Sequence, residues 1–171
     1  MTFQVQDKDG LTSGANAYVD PAYVREYYLE RGTDLSATPD AELEAAVVKA
    51  TQFIDTRYTF LGLKRNYVQD TEWPRRDAVD RAGNLIQGIP KAVLRATAEL
   101  AFRALDGDLM ADPSRDPTGQ VIRSKREAVG PITEAVEYAA GSPWTFPRYP
   151  AVDRLLQSAD LVRRGLTAVR S

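Results

Sequence analysis

Cysteine and histidine are both missing from the 171 residues of this chain. Without cysteine there is no disulfide framework, no thiolate metal site and no cysteine nucleophile. Without histidine, the side chain most used for proton transfer near neutral pH is gone, and with it the commonest metal ligand. A Ser-His-Asp triad, a Cys-His dyad and a histidine-ligated zinc are excluded together. Carboxylate-only sites and lysine or serine chemistries survive, but no spacing sets two acids on one face beside a basic clamp. Asp106-Gly107-Asp108 has the start of a calcium loop, yet no further ligands follow at the required intervals. The expectation is a protein that is not an enzyme and uses no cofactor or metal.

Long apolar runs are lacking too. No stretch approaches the ~20 residues of a membrane span, and MTFQVQDKDGL at the start has no apolar signal-peptide region. The expected setting is a cytoplasm, with no membrane partner.

What is present is enough apolar material, 43% of residues, for a real core, in a length that predicts one domain over 1–171. The net charge of −2 is unevenly placed: residues 1–56 carry −6, 57–147 carry +1 and 148–171 carry +3. An acidic head and a basic tail suit head-to-tail subunit contacts. The same charges also serve as a mixed, solvated surface.

The patterning predicts a mainly α fold: a four-helix bundle with a long inter-helix loop, a small β-hairpin and extended terminal arms. Residues 1–19 read as an extended N-terminal arm, and 20–110 as the helical core. Asp20-Pro21 should open the first helix, with aspartate as N-cap and proline at the first position. That helix buries Val24, Tyr27 and Tyr28 and ends near Gly32. The second opens at Thr38-Pro39-Asp40 and shows an apolar stripe of Leu43, Val47, Ala50, Ile54 and Tyr58. Asp55 lies on its flank beside Arg57, where a solvated or salt-bridged carboxylate is expected. The third, Pro90 to about Leu105, carries Val93, Leu100 and Ala104 and enough alanine for close helix approach; it should be central.

Residues 120–139 predict a hairpin around Gly130-Pro131, with strands over Val121–Ala128 and Ile132–Tyr138. A basic outgoing strand (Arg123, Lys125, Arg126) would face an acidic return strand (Glu134, Glu137). The last part, 140–171, predicts a proline- and aromatic-rich segment and then a helix from Pro150. Val152, Leu155, Leu156, Ala159, Val162 and Leu166 form its stripe, and Arg163 and Arg164 would complement its C-terminal dipole.

A connection of roughly thirty residues joins the second and third helices, long for a compact domain and usually functional when real. Across Arg57–Arg81 it sets Arg57, Lys64, Arg65, Arg75, Arg76 and Arg81 among Tyr58, Phe60, Tyr67 and Trp73. Cations interleaved with aromatics are what a single-strand-binding groove uses. The other reading is a loop pinned by burying Trp73, its arginines pairing locally or across a subunit contact.

The block Thr51–Leu105, with KREAVGPI (Lys125–Ile132) and RYPAVDRLL (Arg148–Leu156), resembles the head–tail connector or adaptor proteins of the tailed-phage neck, some of which carry a DnaT-like single-stranded-DNA-binding label. The resemblance covers about Ala15 to Leu156. It implies a structural virion protein, made in the host cytoplasm and found in the neck. It would form a homo-oligomeric ring, typically twelvefold, on the portal protein and meet a stopper or tail protein on its other side. Double-stranded DNA would pass through the ring without sequence-specific binding, which an isoelectric point near 5.3 suits. Candidate partner or channel contacts are Trp73, which also anchors the long loop, Arg75 and Arg76, then Arg123, Lys125 and Arg126, and for the portal side Arg163, Arg164 and Arg170. The alternative is a single-stranded-DNA-binding replication accessory protein.

Overall fold

The computed structural model describes residues 2–110, 122–128, 133–138 and 147–162. Its elements run α1 (Pro21–Leu29), α2 (Asp40–Arg57), β1 (Leu63–Lys64), β2 (Arg75–Arg76), α3 (Lys91–Asp106), β3 (Ile122–Ala128), β4 (Thr133–Tyr138) and α4 (Pro150–Ser158). The described protein is mainly helical, with two small antiparallel ribbons, β1–β2 and β3–β4. Residues 1–109 and 148–171 group as one compact unit and 110–147 as another.

In the first unit α3 packs against α1, α2 and α4, so the expected central helix is the one observed. Val93, Ala96, Leu100 and Ala101 of α3 are fully buried, as are Leu43, Val47, Ala50 and Ile54 of α2. Each large side chain among them contributes roughly 2 kcal/mol relative to exposure. The small alanines permit the close approach that the sequence predicts. Asp20 caps α1 by accepting a 2.8 Å hydrogen bond from the Tyr23 amide, with Pro21 at the first helical position. Tyr27 and Tyr28 are buried at the α1–α3 contact. Their hydroxyls reach the two carboxylate oxygens of Glu99, at 2.9 and 3.5 Å, and Arg103 holds Glu99 from the next turn.

The extended N-terminal arm is packed into the first unit, and it is the last helix that departs from expectation. Val5 bridges Ala17, and Ala15, Ala17, Tyr18 and Val19 are buried. The last helix stops at Ser158, where Asp160 takes a left-handed backbone (φ 55°). Its continuation places Leu161 and Val162 against the core and bridges Val162 to Phe60. No basic residue therefore occupies the last turn of α4, and Arg163, Arg164 and Leu166 lie outside the described residues.

In the second unit the hairpin forms close to its expected bounds, but its register differs from the charge pairing inferred from sequence. Lys125 stands opposite Val136, Arg126 opposite Ala135 and Glu127 opposite Glu134, with an irregularity between Ile122 and Ser124. An alternating pattern cannot fix which residues stand opposite, because a single-residue shift of register changes every pair.

Candidate functional site

The 59–90 connection is built around Trp73, which is wholly buried with its ring edge-on to Phe60 at 5.6 Å. Its peptide bond to Pro74 is cis. Pro74 lies between β1 and β2, whose register sets Leu63 opposite Arg76 and Lys64 opposite Arg75. Gly62 turns the chain into this ribbon at φ 75°. A Cβ there would clash with the Arg76 carbonyl oxygen and come within 2.8 Å of the Ala78 nitrogen.

Polar side chains then fix the loop from inside. Arg75 is buried, and its guanidinium donates to the carbonyls of Leu61 (2.8 Å), Gly62 (2.9 Å) and Glu72 (3.2 Å), and to the Glu72 carboxylate. A rigid five-donor fork suits four acceptors around one turn. Gln69, also buried, donates to the carbonyls of Thr71 and Pro74 and accepts from the Asn66 amide. Gln6 reaches Thr71, and Asn66 donates to the carbonyls of Asp9 and Gly10, so the N-terminal segment and the loop interlock.

The third attachment runs to α2. Asp55 accepts from the Tyr18 hydroxyl and from the Glu72 amide, and the same Tyr18 oxygen accepts from the Trp73 amide. Burial pushes the Asp55 carboxyl up to about 7, although both hydrogen bonds oppose the shift. Asp55 is thus no solvated flank residue, as the sequence suggested. Its carboxylate is the bolt between helix and loop.

These contacts decide the fate of the aromatic–basic run. Trp73 and Phe60 are interior, and Tyr58 is half-buried, donating to Asp153. Arg75 is consumed by the turn, Lys64 pairs with Glu72 and Arg65 with Asp9, while Arg57 lies over the Tyr58 ring. Of the candidate contact residues, Trp73 and Arg75 are therefore withdrawn, because their side chains face the interior. Arg76 remains, exposed on β2. Arg123, Lys125 and Arg126 lie on β3, whose side chains fall outside the described residues, as do Arg163, Arg164 and Arg170 entirely.

The loop sets large apolar side chains in solvent among exposed polar ones such as Arg65, Asp70, Arg76 and Gln87. Tyr67 is 98% exposed and Val68 62%, with Leu63 open as well, and so is Leu11 of the N-terminal segment. A second turn, closed by a Val79–Leu85 bridge, exposes both of its apolar partners. Asp80 holds that turn by accepting from the amides of Ala82 and Asn84. Next to it lies a cleft of about 380 Å³, floored by Ile86, Pro90 and Leu161 and flanked by Arg81 and Lys91. No helix among the described residues is long and apolar enough to cross a membrane. No cluster among them offers a metal ion three acidic, histidine or cysteine side chains.

A family model described as "Putative DnaT-like ssDNA binding protein" matches residues 1–170. The chain belongs to this family. The match covers every residue but the last, and so takes in the whole of the second unit and all but Ser171 of the first. No curated protein and no solved structure matches the chain.

Proposed function

We propose that this chain is an assembly module that works by docking on proteins: a ring-forming adaptor between the portal and the stopper or tail of a tailed phage. The proposal takes the four helices as a bundle whose role is to present the long loop. One observation carries it. The loop is immobilised from within by Trp73, Arg75, Gln69 and Asp55, yet holds Tyr67, Val68, Leu63 and Leu85 out in water. A mobile loop could fold its apolar side chains away, whereas this one cannot, and exposed apolar patches on ordered elements mark contact sites. Tyrosine is also among the residues most enriched at binding hot spots.

Single-stranded-DNA binding is the second reading, favoured by the family's description and by the open Tyr67 together with exposed Arg76 and Arg81, which have no ion-pair partner among the described residues. Against it, three of the four aromatics are wholly or partly withdrawn from solvent, and most of the cations between them already have partners. A fluorescence titration with labelled oligonucleotide separates the two. The adaptor reading expects no saturable binding at moderate salt. Micromolar binding that strengthens steeply as salt falls would replace it with the second.

A further inference from the structure

We propose that the exposed loop tip Tyr67-Val68 of one copy inserts into the cleft beside Arg81 and Lys91 of a neighbouring copy. The proposal rests on the assembly reading and gives it a specific contact. The tip and the cleft have no residue in common, which makes the contact heterologous: one patch meets a different patch, the arrangement that generates rings.

Shape and chemistry agree. The cleft is floored by Ile86, Pro90 and Leu161, all apolar, and about 380 Å³ is ample for a tyrosine ring with a valine beside it. Tyr67 has almost its whole surface in water, and among the described residues no bond or ring contact engages it. Its rigidity is supplied from behind, where Asn66 is tied to Asp9 and Gly10, and Gln69 to Thr71 and Pro74. With the backbone held this way, only the two side-chain torsions of the tyrosine are left to order on insertion.

Charge is complementary at the edges. Asp70 follows the tip, exposed, and among the described residues accepts one hydrogen bond, from the Gly14 amide. Arg81 and Lys91 flank the cleft, exposed, and neither pairs with a carboxylate among the described residues. The cleft's own acid, Asp80, is turned into its loop, where hydrogen bonds led by those from Asn84 hold its carboxyl below the usual range. It does not neutralise the rim. An apolar tip trailed by a carboxylate thus faces an apolar floor bounded by two cations.

The absence of native cysteine makes the test clean. Val68→Cys on one copy and Ala82→Cys on a tagged second copy place one thiol at the tip and one at the cleft, both at exposed positions. Mixed at high concentration under mild oxidation, and separately on portal particles, they should form the mixed disulfide at least tenfold faster than Val68→Cys with Ala45→Cys, which is exposed on α2. Adding Tyr67→Ala should abolish the excess without changing Tm. Asp70→Lys should weaken it several-fold, and Lys91→Glu in the partner should restore it. Equal rates for the Ala82 and Ala45 pairs, both free and on portals, overturn the proposal. If rings nonetheless assemble on portals, the adaptor reading survives and only this contact is wrong. If no ring assembles but the tip–cleft disulfide forms selectively, the contact stands and the portal reading fails.

Discussion

The Tyr18 hydroxyl donates to the Asp55 carboxylate across 2.5 Å and accepts, on the same oxygen, the Trp73 amide at 3.0 Å. Three distant parts of the chain, the N-terminal segment, α2 and the long loop, meet at this one phenol. Burial raises the tyrosine's own pKa well above 10, and the Asp55 charge adds to the effect. It therefore stays protonated, and able to donate, across the neutral range.

Asp55 should make stability depend on pH. Its folded pKa, about 7, lies above the unfolded value of 3.8, so the folded state binds more protons between them. The contribution of this group is fully present below about pH 4 and is lost as pH rises through 7. Thermal melts from pH 4 to 8 should show wild type losing ground relative to Asp55→Asn across that window, with a constant difference above it. Asp80, whose pKa is lowered, acts in the opposite sense in both proteins and cancels in the comparison. A pH-independent difference would show that Asp55 ionises normally.

Removing the loop's anchor should be costly. Trp73→Ala leaves a cavity beside Phe60 and should destabilise by about 3–5 kcal/mol. Trp73→Phe should cost less than area alone suggests, because the indole nitrogen has no hydrogen-bond partner among the described residues and the change removes that buried donor. Chemical denaturation of the three proteins gives the order.

Gly62 cannot carry a side chain. Its left-handed φ, and the clash that any Cβ there would make with the Arg76 carbonyl oxygen, mean that Gly62→Ala should cost at least about 1–3 kcal/mol. Gly14 and Gly32, also left-handed but with open space around their Cβ positions, should tolerate alanine better. Parallel melts of the three variants test the ranking.

Arg75→Lys should fail as a conservative change. Lysine keeps the charge near Glu72 but cannot span the carbonyls of Leu61, Gly62 and Glu72 together, so about 1–3 kcal/mol should be lost. Arg76→Lys, on the exposed neighbour, should be near neutral by the same denaturation measurement.

The helices were legible in the sequence because their signals are local. Asp20-Pro21 starts α1 as a cap should, and the 3.6-residue stripe of Leu43, Val47, Ala50 and Ile54 faces the core. The end of α4 was not, because apolar residues recur beyond Ser158 and nothing local announces the left-handed Asp160. Trp73 was recognisable as an anchor. Arg75 was indistinguishable from Arg76 by type, since only the alternating faces of a two-residue strand send one inward. Asp55 was misread for a similar reason: its partners, Tyr18 and Glu72, are far off in the chain and meet only in three dimensions. Gln6, Asn66 and Gln69 left no signal beyond being polar residues near glycines. The exposure of Tyr67 could not be told from the burial of Phe60, because both sit in the same aromatic–basic run.

The central claim is that a rigid loop with an apolar crest docks this chain into a protein assembly. Electron microscopy of portal particles incubated with the chain tests it most directly. An added ring of density should appear with the wild-type chain, and should be lost with the well-folded double variant Tyr67→Ala/Val68→Ala. Portal particles left bare by the wild-type chain, or a ring that forms equally well with the double variant, would contradict it.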